Sequence, residues 1–200
     1  MCNQFQLPNL AEIKKYLVAD LNLPLTEPAP NLPQSQAVFP KEDAPVLLYQ
    51  NNQLQLVPKS WGYPSPVDNK KVIFNARVER FFENKPSMWD SSFAKSRCII
   101  ITKQFWESGH QTYAVNGHTY HERYSFRDPN ASLTLIAGIY QGDHFSMVTT
   151  KPNADMAPIH DRMPLIITAA ELRRWLFQNF TSLIDRSQLP LTVKKMPQKE

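Results

Sequence analysis

Two Asn-led tight turns restrict the topology this chain can adopt. Asn116-Gly117 separates residues 113–115 from 118–120. Asn-Gly is the strongest short hairpin signal, because a two-residue type I′ turn needs positive φ at both central positions. Asn51-Asn52 stands in the same relation to residues 46–50 and 53–57, and Gly142 lies between 133–140 and 145–150. Strands joined by such turns run antiparallel. Residues 72–77 and the β-branched run 98–105 supply further strands. Helices are fewer. Asn9 with Glu12, and Thr168 with Glu171, have capping-box spacing. The first predicts a helix of roughly three turns with Leu10, Ile13 and Leu17 on one face and Tyr16 beside them. The second opens a helix with Leu172, Leu176 and Phe180 inward. Ser87 caps a shorter piece carrying Trp89 and Phe93. Many strands, two good helices and no βαβ alternation predict a β-rich, mainly antiparallel α+β fold.

The 200 residues suffice for one substantial core. Apolar content of 42% and charged content of 20% are those of an ordinary globular protein. One domain is expected over residues 1–191, with a polar, basic and disordered tail over 192–200. Prolines concentrated in 24–45 predict a long irregular connection there. No leader-like or membrane-length apolar run is present, so the reading is a cytoplasmic protein with no membrane partner; a monomer is expected. Cys2 and Cys98 are then reduced thiols rather than a disulfide framework. A net charge of +4 tilts the surface towards anionic partners without requiring nucleic acid.

Cys2 follows the initiator methionine. Methionine removal before a small residue would leave a terminal cysteine, with thiol and amine on adjacent carbons. Their reference pKa values, ~8.5 and ~7.7–8.0, leave both nucleophiles partly available at neutral pH. Such a pair condenses with an aldehyde to an imine and closes to a thiazolidine. Three further stretches set polar groups against apolar context: 74–79 with Asn75 and Arg77 on one strand face, 105–109 with Glu107, and 159–164 with His160 and Arg162. Taken singly, Asn75 as a turn residue, Glu107 as a solvated strand end and His160 as a satisfied histidine are the commoner cases. Together they supply a nucleophile, an orienting amide and two proton-transfer groups. Cys98 reads as a buried thiol. His118 and His121, three apart in a strand, face opposite ways and make no metal site; neither metal nor cofactor is expected. His110 and His144 read as exposed turn residues.

In order and at similar spacing, Met1-Cys2, Trp61-Gly62, Asn75-Ala76-Arg77, Arg97-Cys98, Phe105-Trp106-Glu107, Ala137-Gly138-Ile139-Tyr140, Thr149-Thr150 and Ile159-His160-Asp161-Arg162-Met163-Pro164 resemble the SOS-response-associated peptidases, also called abasic-site-processing proteins. The resemblance implies an open, barrel-like sheet with peripheral helices, and covalent crosslinking to abasic sites in single-stranded DNA. Cys2 would be the crosslinking residue, with Asn75, Glu107 and His160 as catalytic neighbours. It further implies DNA contacts from Gln4, Trp61, Arg77, Thr149, Arg162 and Met163, with self-removal of Met1 and a lyase-like side activity as possible companions. The sequence departs from the family pattern at Asn3-Gln4, where Gly-Arg is usual, at Trp61-Gly62-Tyr63-Pro64, and in residues 31–36, which match only loosely. Two other readings stand beside this one: a peptidase or amidase using Cys2 as nucleophile, and a plain nucleic-acid-binding module.

Overall fold

A computed structural model of the chain describes residues 2–26, 36–68 and 70–198. The hairpins form where the turns predict them. β2 (Asp43–Gln50) and β3 (Gln53–Trp61) are joined at Asn51 and Asn52, with φ of 51° and 61°. β6 (Phe105–Val115) and β7 (His118–Arg127) are joined at Asn116 and Gly117, with φ of 50° and 78°. β8 (Thr134–Gln141) and β9 (His144–Thr150) turn through Gly142. These values are the left-handed pairs that a type I′ turn demands.

The sequence does not announce how the hairpins join. β5 (Arg97–Thr102) pairs with both β2 and β8. β9 completes a ring by running parallel to β3 through His144↔Ser60 and Phe145↔Trp61. The expected barrel-like sheet is therefore closed through β3, β2, β5, β8 and β9. β4 (Asn75–Arg77) adds parallel to β9, so the predicted strand 72–77 is divided at Phe74 and only its second half joins this sheet. A second sheet takes β7, β6 and β1 (Gln4–Gln6) in antiparallel order, with Ala37–Val38 outside β1. At its other edge lies β10 (Thr192–Lys195). This corrects the expected disordered tail: polar residues 192–195 form a strand because β7 offers an open edge, and the Lys195 ammonium bonds Glu122 at 2.6 Å. Likewise the connection 24–45 is only partly irregular, since Ala37–Val38 and the start of β2 fall inside it. The loose match at 31–36 lies outside the described residues except for Gln36.

Alternation along the strands divides the core in two. Leu47, Ile99, Ile101, Leu135, Ala137 and Val148 face the helices. Val46, Leu48, Cys98, Ile100, Ile136 and Met147 face Phe5, Phe105, Phe126 and Cys2. Both capping boxes form. The first opens α1 (Leu10–Lys14), which continues as a wider-wound segment over Lys15–Asp20. The second opens a turn leading into α3 (Leu172–Phe177), where Leu172 and Trp175 are buried and Leu176 only half so. α3 stops at Phe177, so Phe180 reaches the core from beyond the helix. α2 (Asp90–Lys95) buries Phe93, as its short pattern predicts, but it starts after Trp89, and Ser87 accepts from the Trp89 N–H in the preceding turn instead of capping the helix. Among the described residues no helix is long and apolar enough to cross a membrane.

Gly138 pairs with Cys98 across β8 and β5, and a Cβ on Gly138 would lie 2.8 Å from the Cys98 sulfur. Gly138→Ala is expected to cost about 1–3 kcal/mol by overpacking, and most of that cost should vanish when Cys98→Ala is added. Urea unfolding of both single variants and the double variant tests this; equal costs in the two backgrounds would contradict it.

Candidate active site at the amino terminus

Register positions the chain's beginning. Gln4 pairs with Trp106 and Phe5 with Phe105, so β1 lies along the start of β6 and leaves Cys2 beside Glu107. Cys2 is fully buried in the apolar layer between the sheets. Its backbone carbonyl accepts a 2.9 Å hydrogen bond from the Asn75 amide, and its thiol points to the Gln4 carbonyl at 3.4 Å. The parallel pairing of β4 on β9 brings Asn75 there. The Asn75 Oδ1 is buried and has no hydrogen-bond partner among the described residues.

Burial pushes the Cys2 thiol well above its ordinary pKa, and the Glu107 charge pushes in the same direction. Glu107 shares the inward face of β6 with Phe105 and is 4% exposed. Its carboxyl is raised to about 7, first by burial and also by Asp161, against the pull of the positive amino terminus. Glu107 is thus no solvated strand end.

His160 sits on a turn closed by bonds from the Ile159 and His160 N–H groups to the Met156 carbonyl. Its Nδ1 accepts the Arg162 N–H at 3.0 Å and also lies 3.0 Å from an Asp161 oxygen. One nitrogen cannot serve both at once, since the first contact needs a lone pair and the second a proton. Burial, and then the positive amino terminus, lowers the His160 pKa. The neutral ring is favoured, with Nδ1 accepting from Arg162 and the proton on Nε2.

The structure gathers Cys2, Asn75 and Glu107, with His160 and Glu107 both facing the amino-terminal charge. It distributes the six expected DNA contacts differently. Arg77 is exposed, two residues beyond Asn75 on β4. Trp61 is fully buried, its ring 5.0 Å from Phe5 and its indole N–H bonded to the Phe74 carbonyl at 2.9 Å, so no face is open to a base. Arg162 holds Glu79 through two bonds of 2.9 and 2.7 Å and the Thr149 carbonyl at 2.9 Å; its fork is already engaged. Thr149 and Met163 are buried, and the Met163 sulfur accepts from the Asn153 N–H. These three residues therefore brace the site from within. Gln4 is nearly buried and accepts from the Arg123 guanidinium. His110 lies exposed within β6, and His144 half-buried at the start of β9, rather than in turns. Sequence reasoning did not single out Arg123, Glu79 or Asp161. Only the folded register brings Arg123 to Gln4, and no local pattern marks it.

The model of the SOS response associated peptidase (SRAP) family matches residues 1–199. The chain belongs to this family. Among SRAP-like relatives, the abasic site processing protein YoqW of Bacillus subtilis is 30% identical over 190 residues, covering 88% of this chain and 80% of that protein. The abasic site processing protein YobE of the same organism is 28% identical, with 88% and 82% covered. Crystal structures of proteins from Bordetella bronchiseptica and Bacteroides thetaiotaomicron each superpose with a TM-score of 0.71 at 18% identity. They cover 98% of this chain and 100% and 92% of theirs, and show that the SRAP fold is shared.

Because the Glu107 carboxyl is raised from 4.5 to about 7, ionising it in the folded protein costs stability. That cost is absent below pH ~4 and complete above pH ~7. Glu107→Gln is expected to stabilise the protein at pH 8 by up to about 3 kcal/mol, with the gain disappearing near pH 4. Thermal melts of both proteins across this range test it. A variant less stable than its parent at pH 8 would show that the carboxylate is held by partners stronger than its burial.

Proposed function

We propose that this SRAP protein processes abasic sites in DNA, and that it does so by capturing them covalently through Cys2 in single-stranded DNA. The observation that carries the reading is the pairing of Cys2 with Asn75 and a buried Glu107 titrating near neutrality. The relatives YoqW and YobE are abasic site processing proteins, which supports the substrate.

In the intact chain the Cys2 nitrogen is an amide to Met1, so removal of Met1 precedes the chemistry. The freed amine has a reference pKa of ~7.7–8.0, within about a unit of Glu107, and proton transfer between such matched groups is efficient. An abasic sugar opens to an aldehyde. As the ring C–O bond breaks, the anomeric hydroxyl gives up its proton to water and the ring oxygen takes one from water, while the neutral His160 assists by a hydrogen bond from Nε2–H to that oxygen. Glu107 takes the ammonium proton, and the amine nitrogen attacks the aldehyde carbon. Water leaves with the carbonyl oxygen, giving an imine. The thiol sulfur then adds to the imine carbon while its proton passes to the nitrogen. One water is lost and the ring is closed.

A thiol with a raised pKa suits this order, because the amine reacts first and the sulfur meets an activated carbon afterwards. It suits the peptidase reading poorly, since a cysteine nucleophile attacking amides acts as thiolate. Asn75 holds the Cys2 carbonyl and so aims the terminus; Arg77 takes backbone phosphate. Rapid closure by sulfur leaves little imine for strand-cleaving elimination.

Incubation with a single-stranded oligonucleotide bearing one abasic site should give a band that survives denaturing electrophoresis. Cys2→Ala should abolish it, and protein shown by intact mass to retain Met1 should form none. Peptide cleavage without a crosslink would favour the hydrolase, and reversible binding alone the binding module.

Crosslinking should accelerate as pH rises through about 7, where Glu107 ionises. Glu107→Gln should lower the rate on the order of 10²–10⁴-fold and remove that limb. A pH–rate profile unchanged by the substitution would assign the proton transfer elsewhere.

A further inference from the structure

Beside the hairpin of β6 and β7 lies a cleft of about 430 Å³, bordered by Ser108, Tyr113, Tyr120, His121, Arg123 and Lys195. The Tyr113 and Tyr120 rings face each other across the strands at 5.9 Å, and both are partly exposed. Lys195 is neutralised by Glu122. Arg123 is exposed and bonded to the neutral Gln4 amide; among the described residues it makes no ion pair with a carboxylate. Its positive charge is thus available to an anion.

Position decides which anion. Gln4 is two residues from Cys2, and two residues span ~7 Å at most. Ser108 follows Glu107 on β6 and opposes Arg123 on β7; alternation turns it to the exposed face, so the cleft opens on the outer side of the strand whose inner face carries Glu107. A cation of this kind followed by aromatic rings is the combination that holds single strands without reading their sequence.

We propose that this cleft is a subsite for the nucleotide flanking the lesion, with its phosphate on the Arg123 fork and its base against Tyr113 and Tyr120. The inference rests on Cys2 being the capturing residue, and it adds a contact that Gln4 alone, as a neutral amide, does not supply. Gln4 orients Arg123 instead of contacting phosphate itself.

The test uses the full chain and an oligonucleotide carrying a tetrahydrofuran abasic analogue, which has no aldehyde, so only reversible binding is read. Arg123→Gln should weaken binding about fivefold near 0.1 M salt and flatten the plot of log K against log salt by about 0.7. Arg123→Lys should retain the slope. Tyr120→Leu should weaken binding about fivefold or more with the slope unchanged, because stacking releases no counterions. Thermal melts confirm that each variant is folded. Wild-type affinity and slope in both Arg123→Gln and Tyr120→Leu would overturn the proposal, as would losses that merely follow the unfolded fraction. Failure of the wild type to crosslink an aldehyde-bearing strand would instead sink the Cys2 reading, while leaving this pattern of binding intact.

Discussion

The bond from the Asn75 amide to the Cys2 carbonyl ties the chain's beginning to a strand 73 residues away. A terminal segment is ordinarily the least ordered part of a domain. Here it is held three ways: by Asn75, by pairing of β1 with β6, and by burial of Phe5 and Leu7 in the apolar layer. A reactive amine on a frayed terminus would lose the entropic advantage of being already positioned. Fixing the carbonyl of Cys2 fixes the atoms on either side of it, and the rest of the site is arranged around that point.

The arrangement costs stability. A thiol and a carboxyl are buried together, burial raising the pKa of each and the Glu107 charge adding to that of Cys2, and among the described residues the Asn75 amide oxygen has no partner. Such groups are expensive inside a protein unless something compensates them. The compensation is structural: the closed ring of β3, β2, β5, β8 and β9 and the two apolar layers hold the elements rigidly enough to keep the polar cluster in place. Arg162 contributes from beneath, clasping Glu79 and Thr149 and setting the turn that carries His160. Its charge works on the scaffold.

What could be read from the sequence divides along a physical line. Turn chemistry and capping are local, and they were legible: Asn51-Asn52, Asn116-Gly117 and both capping boxes form. Closure of the ring was not, because the parallel pairings of β9 with β3 and β4 join residues far apart and leave no periodic trace. The polar residues 192–195 read as a free tail because their strand is stabilised only by the edge of β7. At the site, motif residues identified Cys2, Asn75, Glu107 and His160 as a set, but residue type alone could not say which arginine faces solvent. Arg77 does, whereas Arg162 does not. Trp61 is likewise a core ring, although a tryptophan read from sequence alone would equally suit stacking on a base. Arg123 emerged only from three-dimensional register.

The most direct test of covalent capture is the mass and connectivity of the adduct itself. Peptide mapping of protein treated with an abasic strand should find the sugar on Cys2, at the summed mass less one water, with the Cys2 sulfur no longer open to alkylation. An adduct on a lysine, or on Cys2 nitrogen with its thiol still alkylated, would contradict closure by the paired sulfur and nitrogen.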